Sequence, residues 1–206
     1  MDRSGAFLDR AYGLDGSAKT QDFYRQWAET YEAEMRVNGY ATPTRTAAAM
    51  AKNVTSMAAP ILDLGCGTGL SGEALRAVGF TSIDGSDFSE EMLQIAAGKK
   101  IYRNLSPGDL NDPIPAKAGD YQNIAAMGVF SPGHAPPSII GEVIGLLPRH
   151  GCFGFSLNDH ALEDDGYENT VQQLADGSSI EIAFSEYGDH LPGIDLKSKI
   201  YVLRKL

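Results

Sequence analysis

The chain has 206 residues, 43% of them apolar and 21% charged, with a formal net charge of −10. That length suits one domain with a sizeable core, and the acidity argues against a nucleic-acid partner, because phosphate binding is carried by clustered Lys and Arg. The two cysteines, Cys66 and Cys152, and the four histidines make neither a disulfide framework nor a metal-ligand spacing, which points to a reducing, cytoplasmic setting; no apolar run reaches the roughly 20 residues of a membrane span, and no signal-peptide pattern opens the sequence,.

In chain order, residues 1–18 are mixed polar and glycine-containing. In TQDFYRQWAETYEAEMRV, Tyr24, Trp27, Tyr31 and Met35 recur at helical spacing on one face,. Thr42-Pro43 reads as an N-cap and first-turn proline, with TRTAAAMAKNV continuing as a helix,. PILDLG is a short buried strand and GLSGEALRAV the helix after it. FTSIDGSD is a second strand with its turn, and Ser89 caps a helix whose first turn holds Glu90 and Glu91,. Residues 101–105 are expected as a third strand, DYQNIAAMGVF as a fourth, PSIIGEVIGLL as a helix and CFGFSLN as a fifth strand. SSIEIAFSEYG and LKSKIYVLRKL follow as two late strands joined by a loop over 188–196. Alternating strands and helices predict a mostly parallel sheet with helices on both faces, and the two late strands an antiparallel pair at one end. We expect a single domain over 1–206, with a helical N-terminal cap or lid over 1–58 and a Rossmann-like core over 59–206.

The stretch ILDLGCGTGLSGEAL carries the chemistry. A strand ends at Leu64, glycines follow at 65, 67 and 69, and a helix begins near Leu70. Ligands of open α/β sheets sit at the carboxyl ends of the strands, and a turn bare of side chains lets them approach the backbone. Asp87, at the end of the next strand, has the chemistry to accept both hydroxyls of a ribose. The dinucleotide fingerprint is GxGxxG; here the spacing is GxGxG. Asp63 beside the turn disfavours a pyrophosphate and suits a ligand with an ammonium group, such as S-adenosylmethionine (SAM). Without a ligand, the same loop is a tight strand-to-helix turn, and Asp87 is also a residue type that opens the turn before Ser89. Asp84, three residues earlier, reads as a solvated or capping carboxylate.

DLGCGTG resembles the first motif of the class I SAM-dependent methyltransferases, and GSDFSEEML the segment ending their second strand. FYRQWAETYEAEMRVNGYATP and GVFSPGHAPPSIIGEVIGLLPRHGCF are similar to one branch, which holds the Williams–Beuren-region methyltransferase-like proteins and bacterial methyltransferases predicted alongside TPR repeats. The resemblance implies a seven-stranded Rossmann-like fold that binds SAM and releases S-adenosylhomocysteine (SAH). It implies that Asp63, Gly65 and Gly67 border the methionine part, that Asp87 holds the ribose, and that Phe88 covers one adenine face; Cys66 and Met92 are counted with the cofactor-binding residues, Cys66 being also only a small residue of the turn. Asp109 would accept from the adenine amino group and Leu110 meet the ring. Met127 and Phe130 would line the sulfonium side, and Tyr24, Trp27 and Tyr31 form a lid; core packing is the other reading of that aromatic stripe. Gln122-Asn123 and PRHG depart from the pattern of many relatives.

His134, in SPGHAPP after strand four, is the candidate catalytic base, against a surface or capping role. His160 and His190 are expected in loops able to reach a substrate, and His150 on the far side of the sheet. The expected activity is methyl transfer to a small molecule, with no nucleic-acid or membrane partner. A protein methyltransferase, or a SAM-binding regulator without catalysis, is the alternative.

Overall fold

The computed structural model describes residues 30–131 and 135–206. Tyr24, Trp27 and His134 lie outside the described residues. Residues 30–37 are helical. Helix α1 (Thr42–Asn53) then leads into strand β1 (Ile61–Leu64), helix α2 (Leu70–Ala77), strand β2 (Ile83–Asp87), helix α3 (Glu90–Gly98) and strand β3 (Leu105–Pro107). Strand β4 (Asn123–Phe130), helix α4 (Ser138–Leu146) and strand β5 (Cys152–Asn158) follow. Helices α5 (Asp159–Leu162) and α6 (Asp165–Asp176), strand β6 (Ile180–Leu191), a 3-10 turn (Pro192–Ile194) and strand β7 (Leu196–Lys205) complete the chain.

The seven strands form one sheet in the order β3-β2-β1-β4-β5-β7-β6. Strands β1 to β5 pair in parallel, and β7 runs antiparallel to both β5 and β6. The expected Rossmann-like sheet with an antiparallel C-terminal pair is therefore present. Strand order reverses between β1 and β4, so the loops after β1 and β4 diverge and leave a crevice at the carboxyl ends of the strands,.

Alternation along the strands divides the apolar residues between two faces. Ile61, Ile83, Ala125 and Met127 pack with Ala47 and Met50 of α1 and Leu75 of α2 on one face. Leu62, Ile124, Ala126, Phe153 and Phe155 pack with Ile140 and Val143 of α4 and Tyr167 and Val171 of α6 on the other. Thus α1, although within the segment 1–58, contributes fully buried residues to the sheet's core.

Several local expectations change. Strand three begins at Leu105, where the sequence reading had it end. The N-cap of α1 is Ala41; Thr42 is already helical and spends its hydroxyl on His190 and Ser198. Helix α6, not anticipated, is capped by Asp164, whose side chain accepts from the Gly166 amide. Strand β6 runs on to Leu191, so His190 is a buried strand residue, 4% exposed, rather than a loop residue, and His160 sits in the one-turn helix α5. His150 holds a left-handed φ of 67° in the turn before β5.

Candidate functional site

The glycine turn after β1 shapes the site. The Gly65 and Cys66 amides both donate to the Ser86 carbonyl of β2, at 2.8 and 3.0 Å, which folds the turn back over the neighbouring strand. Gly65 has a φ of 71°, and a Cβ there would fall 2.5 Å from Val129 Cγ2. Gly67 has a φ of 52°, and a Cβ there would meet nothing within 4 Å, because it would project into open cleft. The first glycine is thus required by close packing and backbone strain, the second by conformation beside an open space.

That cleft encloses about 1040 Å³ of non-atom space, part of it open solvent. Its walls include Gly65, Cys66, Gly67, Asp87, Phe88, Met92, Asp109, Leu110, Met127 and, from the helical N-terminal segment, Tyr31. Ten residues named from the sequence therefore meet in one recess. Two do not line it. Phe130 is separated from Met127 by an odd number of strand positions and so faces the opposite side, against Phe153, Phe155 and Tyr167,. Asp63 lies beneath the turn, fully buried, and accepts from the Ser71 hydroxyl (2.6 Å) and the Tyr102 hydroxyl (2.7 Å).

Asp87 holds both the turn and the next helix. Its Oδ2 accepts from the Gly67 amide at 2.8 Å and its Oδ1 from the Ser89 amide at 2.9 Å. Burial pushes its carboxyl above the usual range, and the backbone donors of Ser89, Gly67 and Phe88 oppose that rise. Asp87 thus opens the turn before α3 and also lines the cleft. Burial also lifts Asp63, to about 6, with the Asp87 charge adding to the rise. The Cys66 thiol is raised mainly by burial, so it is an inert wall rather than a nucleophile,.

Asp84 is not solvated. It is 6% exposed and accepts from Arg103 Nε (3.0 Å) and Nη2 (2.8 Å), the Asn104 amide (3.2 Å) and the Tyr121 hydroxyl (3.0 Å). Burial opposes its charge, but hydrogen bonds from Arg103 and Tyr121 outweigh it and hold the carboxyl below the usual range. Three positions apart on β2, the two aspartates have separate tasks: Asp84 ties β2 to the segment before β3, and Asp87 faces the cleft.

The sequence reading missed Tyr40, Pro43, Thr68, Ser71 and Gly128 in the cleft wall. Thr68 follows Gly67 directly, and its buried hydroxyl has no hydrogen-bond partner among the described residues. A bare turn, two carboxylates and an unpartnered hydroxyl fit a nucleoside carrying an amino-acid tail, which is the shape of SAM. Among the described residues the wall holds no Lys, Arg or His; its charged side chains are Asp87 and Asp109, and Asp109 Oδ1 already accepts from the Asn111 amide at 2.9 Å.

Residues 61–151 match a family model described as a methyltransferase domain. That segment runs from β1 to the turn before β5 and contains the glycine turn and both aspartates. Methyltransferase-like protein 27 from Homo sapiens is 32% identical over 136 residues, 65% of this chain and 56% of that protein. The 18S rRNA (guanine(1575)-N(7))-methyltransferase of Saccharomyces cerevisiae is 39% identical over 61 residues, 30% of this chain and 22% of that protein. Among solved structures, magnesium protoporphyrin IX methyltransferase from Synechocystis PCC 6803, crystallised with bound SAM, superposes with a TM-score of 0.56 at 18% identity, covering 98% of this chain and 90% of that one. The fold is the Rossmann-like one of the SAM-dependent methyltransferases. The chain spans about half the length or less of these curated relatives. Among the described residues no helix is long and apolar enough to cross a membrane.

Proposed function

We propose that the chain transfers a methyl group from SAM to a small-molecule acceptor. The matched domain and the fold support SAM as the cofactor. The observation that carries the reading is the convergence of Gly67, Asp87 and the unpartnered Thr68 hydroxyl on one cleft at the carboxyl ends of the strands. In this reading Asp87 takes the ribose hydroxyls, Phe88, Asp109 and Leu110 the adenine, and the turn 65–67 the methionine part. Phe130 is left out, because it is buried in the core.

When bound, SAM supplies a methyl carbon already activated by its sulfonium. The protein's part is alignment and exclusion of water. Met127, Gly128 and Ser131, at the end of β4, and Tyr31 and Tyr40, from the N-terminal side, form the remaining wall, where an acceptor would enter. Within 1–58, we assign the part ahead of α1 the role of cap over that opening, with Tyr24 and Trp27 as further lid residues. His134 is our candidate base for an acceptor that must lose a proton. The sequence FYRQWAETYEAEMRVNGYATP supports placing the chain with the Williams–Beuren-region methyltransferase-like proteins, and the two free, buried cysteines support a cytoplasmic setting.

A small acceptor is favoured by a described cleft wall without a cation and by the net charge of −10, both of which repel a phosphate backbone,. The similarity to an rRNA methyltransferase makes RNA the competing arm of the test. Isothermal titration should show SAH binding and no NAD binding; the reverse overturns the cofactor reading. Methyl-labelled SAM should then label small molecules from a metabolite panel. Label in RNA or protein alone would refute the small-acceptor reading, and binding without any turnover would favour a SAM-binding regulator. His134→Ala should lower kcat without changing SAH affinity; unchanged kcat across pH removes it as the base.

A further inference from the structure

Tyr102 lies in a slot made by three glycines of α2, its N-cap and β2. A Cβ on Gly72, in the first turn of α2, would collide with the Tyr102 hydroxyl. One on Gly69, at the N-cap of α2, would lie 3.3 Å from Cε2, and one on Gly85, in β2, 3.0 Å from Cδ1. The third glycine of GxGxG is therefore bare toward this ring as well as toward its own left-handed backbone. The slot delivers the phenol to Asp63 under the glycine turn, 2.7 Å from Oδ2. The Ser71 hydroxyl reaches the same oxygen at 2.6 Å, and Oδ1 is buried with no hydrogen-bond partner among the described residues.

We propose that Tyr102 is a positioning residue for the cofactor site: its hydrogen bond keeps the Asp63 carboxylate ionised and the glycine turn seated, and so sets the pH range over which the cleft accepts a ligand bearing an ammonium group. The proposal rests on the reading of the cleft as a SAM site. The groups facing Asp63 are Ser71 from α2, Tyr102 from the segment after α3, the Cys66 thiol from the turn and Asp87 from the end of β2. Burial keeps Tyr102 and Cys66 protonated well above neutrality. With Ser71 uncharged, the carboxyls of the group are Asp63, lifted to about 6, and Asp87, also raised by burial; of the two, only Asp63 accepts from the Tyr102 hydroxyl. Hydrogen bonds to a carboxylate favour its charged form, and the phenol is one of only two such donors here.

Tyr102→Phe leaves the ring in its slot and removes the hydroxyl. SAH affinity should be measured by calorimetry from pH 5.5 to 8.5 for the wild type, this variant and Asp63→Asn. Wild-type affinity should rise through about pH 6 and level off. In Tyr102→Phe the rise should move up by about one to two pH units, which makes the variant roughly five- to fiftyfold weaker at pH 6 and within about twofold of wild type at pH 8.5. Asp63→Asn should bind weakly, and adding Tyr102→Phe to it should shift its pH profile no further.

A ligand-free arm uses urea unfolding at the same pH values. A carboxyl raised on folding takes up a proton, so its contribution favours the fold at low pH and is lost as pH rises through the folded value. In Tyr102→Phe that loss should continue to higher pH, widening the gap between urea midpoints from pH 6 to 8. A gap and an affinity ratio that are the same at every pH overturn the proposal, because packing alone would produce them. A wild type that fails to bind SAH at any pH overturns the site reading and the cofactor role of Tyr102 with it, while the urea gap still reports whether Tyr102 controls Asp63.

Discussion

Removing one carboxylate from the end of β2 should separate binding from stability. Asp87 lines the cleft, its Oδ2 accepting from the Gly67 amide and its Oδ1 from the Ser89 amide, with Phe88 a further backbone donor. The lone pairs left over are those a ribose diol would use. A hydrogen bond to a charged group contributes about 1.5–3 kcal/mol. Asp87→Ala deletes two such bonds, partly replaced by water, so SAH affinity should fall by roughly tenfold to several hundredfold. Asp84→Ala removes a carboxylate of similar burial from the same strand. Its partners are Arg103, Asn104 and Tyr121, none of which lines the cleft. The Arg103 side chain is 42% exposed and stays hydrated when left alone. The loss should therefore be about 2–3 kcal/mol of stability, a fall in Tm of roughly 5–10 °C, with affinity nearly unchanged. Calorimetric titration of SAH and thermal melts on both variants make the comparison. Equal losses of affinity, with both proteins folded by circular dichroism, would mean that the ribose is held elsewhere and that the assignment by position on β2 is wrong.

His190 is buried against Thr42 and Tyr40, and burial lowers its pKa to about 4. The unfolded chain, titrating near 6.5, binds the proton more tightly, so this contribution is present above pH 6.5 and lost as pH falls toward 4. His190→Gln should flatten the fall in urea midpoint between pH 6.5 and 4.5; an unchanged slope would show that other groups cause it. Gly65→Ala should lower stability by several kcal/mol and abolish SAH binding, since the new methyl meets Val129 Cγ2 at 2.5 Å on a backbone with φ of 71°,. Adding Val129→Ala should recover only part of the loss, and full recovery would show that the backbone strain costs nothing.

The fold was legible where local signals agreed with one another. Ser89 caps α3 as its sequence suggests, accepting from the Met92 amide, and CFGFSLN is β5 from its first residue to its last. The cleft was legible because its residues cluster in short motifs at strand ends. What escaped were contacts between distant segments. Nothing local to Tyr102 marks it as the partner of Asp63, 39 positions away. The role of Asp84 depended equally on Arg103, brought close by the pairing of β2 with β3, and on Tyr121, which precedes β4 and is brought close through β1. Thr42 looked like a cap because Thr before Pro often is one; its hydroxyl instead joins His190 and Ser198, from the far end of the chain. Phe130 was misplaced by treating the end of β4 as a patch rather than as alternating faces.

The placement of β7 between β5 and β6 has a consequence for the order in which the molecule can be completed. On emergence from the ribosome β6 precedes β7, yet its partner in the sheet is β7. Until the ten residues of β7 are made, β6 has no strand to pair with, β5 has a free edge, and Phe155 lacks the Tyr201 ring that stacks on it at 5.3 Å. Loss of residues from β7 would open the sheet in its interior rather than trim its border. Half-made chains would expose a strand edge and apolar surface, the condition under which nascent proteins aggregate or recruit chaperones.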